Sequence, residues 1–191
     1  MAELSENDLA KMGFASLGQG VRVSEKASFY GVSRIHLGDN VRIDDYCVLS
    51  AGEGGIYIGR NIHVAVYASM IGRGRITLGD FSNVSSRVSI YSSSDDYSGN
   101  TMTNPTVPDD YKDAYHADVL IGRHVIIGSG TVVLPGSVLE DGVAIGALSL
   151  LRGQAAAFGI YAGIPARRVR ERSRELLEVE QRYLLDKGLG S

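Results

Sequence analysis

Two adjacent carboxylates, Asp95 and Asp96, lie in the segment SSDDYSG, near the start of a long polar stretch between residues 91 and 118. A carboxylate in a pocket can act as a general base that accepts a proton from an attacking hydroxyl or amine. Insertions of this length are uncommon in compact domains and usually have a function. The alternative is that both side chains cap backbone N–H groups in Asx turns. We interpret both aspartates as candidate catalytic residues.

The four histidines include a further candidate base. His63 precedes the aliphatic Val64 in an alternating segment, so its ring faces outward, where the loop of a neighbouring chain would reach it. His36, His116 and His124 are interpreted as surface residues, which is the ordinary role of an isolated histidine. Because the histidines never share a repeat position at short spacing, we expect no metal site.

The composition excludes several classes of protein. A net charge of -3 with 44% hydrophobic residues is unlike a disordered chain or a nucleic-acid-binding surface. The single cysteine, Cys47, can form neither an internal disulfide nor a thiolate metal site. The polar start, MAELSENDLAKMG, is unlike a signal peptide, and no apolar run approaches the length of a membrane span. We therefore expect a cytoplasmic protein with no nucleic-acid partner and no membrane insertion.

The elements that must position these residues follow a period of six. In the stretch VLIGRHVIIGSGTVVLPGSVL and beyond it, one aliphatic column recurs at every sixth residue, namely Ile121, Ile127, Val133, Leu139, Ile145 and Leu151. The same spacing appears upstream in groups of three hexads, at 35–49, 56–70 and 76–90. A hexapeptide period is typical of a β-helix, in which three hexads close one coil and inward side chains stack from coil to coil. Glycines such as Gly79 and Gly122 are expected where the backbone turns.

The pattern predicts an all-β solenoid in a single domain over residues 1–191. A short helix and lead-in occupy 1–19, with Ser5 as N-cap and Gly13 as the stop. Coils at 20–91 and 119–165 flank a protruding loop at 92–118, which is the expected active-site loop. An amphipathic helix is predicted over 166–188. Cys47 falls in a small inward column, where we expect it to be buried.

The hexad columns, the loop between coils and the closing FGIYAGIPARRVRER together resemble the hexapeptide-repeat acyltransferases. Over residues 20–175 the chain is most similar to the galactoside, maltose and surface-polysaccharide acetyltransferase branch. The resemblance implies a left-handed parallel β-helix, a homotrimer with sites between neighbouring prisms, and acetyl-CoA as co-substrate. The implied acceptor is a sugar or nucleotide-sugar for a surface glycan such as the O-antigen of lipopolysaccharide.

The resemblance also implies which residues bind the acyl donor. One backbone amide would face the acetyl carbonyl, two residues would line the pantetheine groove, and three arginines would contact the phosphates of CoA. In that order, these residues are Ser129, Ala147, Ser149, Arg152, Arg167 and Arg170.

Asp95 occupies the position at which the galactoside-type enzymes carry a histidine base in a Gly-His-Pro turn. A carboxyl group with a reference pKa of about 3.9 is a weak base toward a hydroxyl group. An amine needs only to lose its ammonium proton to become a good nucleophile. The replacement therefore favours an amino-sugar acceptor, although oxygen and nitrogen acylation both stay open.

Three other functions are compatible with parts of the pattern. A xenobiotic acetyltransferase would use the same donor chemistry on an antibiotic. A non-catalytic β-helical scaffold would share the fold without the site, because fold alone does not define function. A γ-type carbonic anhydrase shares the fold but needs three converging imidazoles, which the spacing of the histidines does not provide.

Overall fold

The computed structural model describes residues 2–188 and shows a prism with three walls of short strands, which are parallel except for the last strand of the second wall and are numbered in chain order. The first wall consists of β1 (Ser16–Leu17), β4 (Ile35–Leu37), β7 (Ile56–Ile58), β10 (Ile76–Leu78), β15 (Val119–Ile121), β18 (Val138–Leu139) and β21 (Gln154–Ala155). The second consists of β2 (Arg22–Val23), β5 (Arg42–Ile43), β8 (His63–Val64), β11 (Asn83–Val84), β16 (Ile126–Ile127), β19 (Ala144–Ile145), β22 (Gly159–Gly163) and β23 (Ala166–Glu171). The third consists of β3 (Ser28–Tyr30), β6 (Val48–Ala51), β9 (Ser69–Gly72), β12 (Ser89–Tyr91), β17 (Val132–Val133) and β20 (Leu150–Leu151).

The register of the strands follows the sequence repeat. Ile76 of β10 pairs with Ile56 in the preceding coil and with Val119 in the following coil, across the whole inserted loop. All six members of the predicted aliphatic column are at most 3% exposed. Each such side chain contributes roughly 1.5 to 3 kcal/mol through burial. The predicted parallel solenoid is therefore confirmed.

Cys47 is fully buried, as predicted. Its burial raises the pKa of the thiol to about 11, so the thiolate needed for nucleophilic attack is not formed near neutral pH. Cys47 therefore belongs to the packing of the prism.

Positive φ angles recur at the corners of the prism, but not at Gly79 or Gly122, where the sequence predicted that the backbone turns. Phe81 and His124 occupy equivalent corner positions in successive coils, with φ of 61° and 56°. Gly79 is required for a different reason, because a Cβ there would lie 2.7 Å from the backbone of Gly122 in the next coil. Glycine before a corner therefore permits close stacking of coils.

Additional elements cover the two ends of the prism. The N-terminal helix α1 (Glu6–Lys11) is capped by Ser5, whose hydroxyl accepts the Asp8 N–H at 3.2 Å, as predicted. The coils begin at Ser16 and not at residue 20, because β1 already pairs with β4.

The predicted helix at 166–188 is wrong over its first ten residues. The chain reverses at Gly163, whose φ is +100°, and β23 then runs antiparallel to β22. This strand supplies backbone partners to the last edge of the second wall, which would otherwise expose unpaired N–H and C=O groups. The helix α2 starts only after it and spans Leu176–Asp186.

Helix α2 is held against the corner between the first and second walls. Glu180 accepts hydrogen bonds from Arg123 and lies 2.8 Å from His124 Nε2. The His124 ring stacks on Phe81 with centroids 5.1 Å apart, and Tyr183 meets Phe81 edge-on. Between residues 2 and 188, no helix is both long and apolar enough to cross a bilayer.

Ser82 tests the cost of a buried polar group in the inward column. Ser82 is 2% exposed, and within residues 2–188 its hydroxyl finds no hydrogen-bond partner. The adjacent coils place Ile62 and Val125 at this position, next to the paired strands β8, β11 and β16. We expect Ser82→Ala to raise the free energy of unfolding by about 1 kcal/mol, because it removes an unsatisfied buried hydroxyl. The measurement is a urea unfolding curve at fixed protein concentration.

Ser149→Ala is the matched control for Ser82→Ala. The Ser149 hydroxyl is also buried, but it donates to the Gly146 carbonyl at 2.7 Å and accepts the Gly163 N–H at 3.1 Å. Its removal should lower the free energy of unfolding by about 1 to 3 kcal/mol. Equal losses in the two variants would contradict the assignment of Ser82 as an unsatisfied group.

Candidate active site

The long loop forms a cleft at the corner between the third and first walls. It leaves after β12 and returns at β15, and two short strands, β13 (Ser93–Ser94) and β14 (Tyr115–His116), pair antiparallel at its root. The loop and the adjacent corner of the prism form a cleft of about 580 Å³ that is open to solvent. The polar side chains that line it include Arg73, Ser93, Asp95, Asp109, Asp113 and His116.

The two predicted catalytic aspartates have different environments. The Asp96 carboxylate accepts hydrogen bonds from the Ser98 N–H at 2.7 Å and from the Thr101 N–H and hydroxyl at 3.1 and 3.0 Å. Hydrogen bonds from Ser98 and Thr101 hold the pKa of Asp96 at about 2. Asp96 thus forms the Asx-type turn that was the alternative interpretation, and its oxygens organise the loop.

Asp95 is exposed and lines the cleft. Among residues 2–188, no donor is within hydrogen-bond distance of its carboxylate, in contrast to Asp96. Its neighbour Ser94 is fixed in β13, and the Ser94 hydroxyl donates to the Asp95 carbonyl at 3.2 Å. The structure therefore presents a fixed backbone and an available carboxylate to a molecule in the cleft.

His116 also lines this cleft, although the sequence pattern indicated only a surface residue. Its Nδ1 lies 2.7 Å from the Ser93 hydroxyl oxygen, which in turn accepts the Arg73 N–H at 2.7 Å. The pairing of Ser93 with His116 joins residues 23 positions apart in the chain. No local sequence signal predicts that pairing, which is why both His116 and Arg73 were missed.

His63 faces outward, as predicted, but lies on the second wall, away from the corner that carries the cleft. Its Nε2 is 2.8 Å from Asp44 Oδ2. Burial alone would raise the pKa of Asp44, but hydrogen bonds from His63 and Arg42 outweigh it and lower that pKa. Within one chain His63 and Asp95 are therefore not brought together.

The predicted donor-binding residues fall on several faces of the prism. Ser129 and Ala147 are both exposed in successive coils, at the corner between the second and third walls, where Leu148 N–H donates to the Ser129 carbonyl at 2.9 Å. The Ser149 side chain, in contrast, is 2% exposed and hydrogen-bonded inside the prism. The prediction that Ser149 lines the pantetheine groove therefore does not fit its buried position.

The three predicted phosphate-binding arginines are exposed. Arg152 follows β20 at the corner between the third and first walls, whereas Arg167 and Arg170 lie on β23. Among the residues described, no group of three or more His, Cys, Asp or Glu side chains is arranged to hold a metal ion.

Comparisons with known proteins identify the family to which this prism belongs. The chain is 56% identical to the dTDP-4-amino-4,6-dideoxy-D-glucose acyltransferase of Escherichia coli over 180 residues, which cover 94% of both chains. It is 28% identical over 140 residues to the lipopolysaccharide-biosynthesis protein WbbJ of Escherichia coli K12, covering 72% of this chain and 69% of that one. No protein-family profile matches the sequence.

Solved structures that are similar to this chain are also sugar acyltransferases. The N-acyltransferase AntD from Bacillus cereus, in complex with dTDP and 3-hydroxybutyryl-CoA, superposes with a TM-score of 0.94 at 39% identity, covering 98% of this chain and 100% of that one. A galactoside acetyltransferase in complex with coenzyme A shares the fold, with a TM-score of 0.57 at 23% identity over 89% of this chain and 72% of that one. The chain therefore belongs to the hexapeptide-repeat sugar acyltransferases, which are left-handed parallel β-helix enzymes. The resemblance and the enzyme class predicted from the sequence are confirmed.

The contrast between the two aspartates can be tested on the loop itself. Asp96→Ala removes the acceptor of three hydrogen bonds, so the loop should open and trypsin should cut after Lys112 several times faster than in the unsubstituted protein. Asp95→Ala is the matched control and should leave the cleavage rate unchanged. Equal acceleration in both variants would mean that Asp96 has no special structural role.

The Asp96 carboxylate makes the stability of the loop depend on pH. The pKa of Asp96 is about 2 in the folded protein, below the ordinary value of 3.8. A lowered pKa stabilises the fold above the ordinary value, and this stabilisation is lost as the pH falls through the lowered one. The protection of the Ser98 and Thr101 amides, which is the slowing of their exchange relative to that of an unfolded chain at the same pH, should therefore hold down to about pH 4 and decrease toward pH 2.

Proposed function

We propose that this protein transfers an acetyl group from acetyl-CoA to the 4-amino group of dTDP-4-amino-4,6-dideoxyglucose or a closely related nucleotide sugar. The available carboxylate of Asp95, in a loop-bounded cleft, is the observation that carries the proposal. Two relatives support the acceptor. The Escherichia coli relative bears the name of this nucleotide-sugar acyltransferase, and a point mutant of AntD was solved with dTDP-4-amino-4,6-dideoxyglucose and coenzyme A.

In the proposed mechanism the acceptor enters as an ammonium ion. Asp95 and two other carboxylates that line the cleft, Asp109 and Asp113, favour a cation there. Asp95 takes one proton from the ammonium group, and the free amine attacks the thioester carbonyl. The tetrahedral intermediate collapses by breaking the carbon–sulfur bond, the nitrogen passes its second proton to the departing sulfur, and CoA leaves as a thiol.

The oxyanion of that intermediate needs fixed hydrogen-bond donors. We assign this role to the backbone N–H of Ser129, which is exposed at a corner of the coil that follows the loop. Ala147 lies one coil further on and would contact the pantetheine arm, while Arg152, Arg167 and Arg170 would bind the phosphates of CoA. AntD was solved with 3-hydroxybutyryl-CoA, so acyl chains longer than acetyl belong in the same assays.

The proposed active form is a homotrimer in the cytoplasm, acting in the synthesis of a surface glycan. Ser129 and the Asp95 cleft lie at different corners of one prism, so one ligand pair would join the cleft of one subunit to the groove of another. His63 of a neighbouring subunit would then approach the cleft as an additional polar group. The similarity to WbbJ supports the glycan pathway.

The role of Asp95 predicts a specific loss of rate. With the amino sugar as acceptor, Asp95→Asn should lower kcat by about 100-fold or more, because the proton acceptor is removed. The matched control is Asp110→Asn, which makes the same charge change at an exposed position of the same loop outside the cleft lining and should retain most of the activity. CoA release and direct detection of the acylated sugar measure both variants.

The acceptor itself is tested with a panel at fixed acetyl-CoA concentration. The panel contains dTDP-4-amino-4,6-dideoxyglucose, its 4-hydroxy counterpart, the free amino sugar and aminoglycoside antibiotics. Activity confined to the amino nucleotide sugar is expected. Preferential turnover of an antibiotic would favour the xenobiotic function, and neither turnover nor CoA binding would favour a scaffold.

The assembly is tested independently of activity. Light scattering should give a mass three times that of the 20.4 kDa chain. Dilution that produces single subunits should abolish CoA release, since each site needs two prisms. An active monomer would contradict the shared site while leaving the acyl-transfer chemistry intact.

A further inference from the structure

Arg73 lies in the Asp95 cleft with a fixed backbone and an exchangeable side chain. Its N–H donates to the Ser93 hydroxyl at 2.7 Å, and a Cβ on the preceding Gly72 would lie 2.8 Å from the backbone of Ser92. The backbone of Arg73 is therefore held closely against the next coil. The guanidinium extends outward, with Nη2 2.7 Å from Glu53 Oε1, and the two side chains are 56% and 75% exposed.

The ion pair with Glu53 is weak enough to be replaced. Exposed pairs of this kind contribute about 0 to 1 kcal/mol, because water screens them and two long side chains lose freedom. A guanidinium group presents parallel N–H donors that match two oxygens of a phosphate. When a diphosphate enters the cleft, Arg73 would therefore give up its weak ion pair with Glu53 and make a bidentate contact with the phosphate oxygens.

Lys112 is less suited to this role. Its side chain is only 16% exposed and is paired with Asp109 at 2.9 Å within the loop. Moving Lys112 to a ligand would break a contact inside the loop, whereas moving Arg73 breaks a contact that is largely solvated.

The positions along the prism separate the two substrates. The residues assigned to CoA, from Ser129 to Arg170, all follow the loop in the coil order, whereas Arg73 and Glu53 precede it. In the acceptor of the proposed function, the diphosphate is attached at the anomeric carbon and the reacting amine at carbon 4, at opposite ends of the sugar ring. A cleft with Asp95 and Arg73 in its lining has a complementary group for each end.

We propose that Arg73 binds the diphosphate of the nucleotide-sugar acceptor and that Glu53 is the internal counter-ion which the diphosphate displaces. The inference rests on the proposed function for the acceptor class. It goes further in assigning an acceptor-binding residue and a competing carboxylate. It makes Arg73 a specificity residue, since an acceptor without phosphates would leave the pair with Glu53 intact.

The test is calorimetric binding of dTDP to the full-length protein, which requires no turnover. Arg73→Ala should weaken dTDP binding by about 10- to 100-fold, the value of a hydrogen-bonded charge pair. Arg73→Lys should recover part of the affinity, because the charge remains and the fork is lost. Glu53→Gln should tighten binding several-fold, because it removes the competitor.

The matched control is Arg22→Ala. Arg22 is also 56% exposed and pairs with Glu3 at 2.6 Å, but it lies on the second wall, remote from the cleft. This variant should bind dTDP as the unsubstituted protein does. Thymidine, which lacks phosphates, should bind all variants equally.

Kinetics separate the acceptor diphosphate from that of CoA. In Arg73→Ala the KM for the nucleotide sugar should rise about as much as dTDP affinity falls, while the KM for acetyl-CoA stays constant. A selective rise in the KM for acetyl-CoA would assign Arg73 to the donor and overturn the inference. Equal dTDP affinity in Arg73→Ala and Arg22→Ala would also overturn it.

These failures differ from failure of the proposed function. If the unsubstituted protein acylates the amino nucleotide sugar but Arg73 and Glu53 variants behave normally, only the assignment of Arg73 is wrong. If the unsubstituted protein neither binds dTDP nor acylates the sugar, the acceptor class itself is wrong.

Discussion

Pairing of each coil with the coils on either side is the constraint on which the rest of the structure depends. The inward aliphatic column can be buried only if every hexad keeps its register, as Ile76 does between Ile56 and Val119. Fixed register then determines where every outward side chain lies to within a strand spacing. A shallow cleft on such a prism can hold reacting groups in place because the walls beneath them cannot slide. The rigid core thus has a direct catalytic consequence.

The corners are the places where this constraint is relaxed. The loop leaves at one corner and returns at the same corner, so the coils before and after it still stack as if no residues intervened, with β10 paired to β15. Loop closure costs grow slowly with length, and the antiparallel pair Ser93 and His116 shortens the effective loop further. Asp96 satisfies N–H groups that a long insertion would otherwise leave unpaired. The insertion is therefore organised at its root, where Asp95 lies.

The period of six in the sequence predicted which side chains point into the prism and which point outward. It did not predict features that depend on pairing between distant segments. Inward and outward directions followed from the hexads, so the burial of Cys47 and the exposure of His63 were predictable. Ser149 was assigned to a ligand groove by position, but its side chain turns inward and bonds to Gly146. The strand β23 was read as helix because its charged alternation also fits a helical surface, and only the open edge of the second wall selects the strand. Arg73 lines the cleft only because the loop returns beside the prism, which no local sequence pattern indicates.

In the proposed binding mode, the distribution of charge would allow acceptor and donor to bind at once. Both substrates are anions with diphosphates, and two such groups in one small cleft would repel each other. In the proposed binding mode the two diphosphates would lie apart along the axis of the prism, because Arg73 precedes the loop and the arginines from Arg152 to Arg170 follow it. The reacting groups of the two substrates do not repel each other. The ammonium group of the acceptor and the neutral thioester of the donor would approach each other beside Asp95 without electrostatic cost. A solenoid supplies this separation directly, since residues of different coils lie at different heights along its axis.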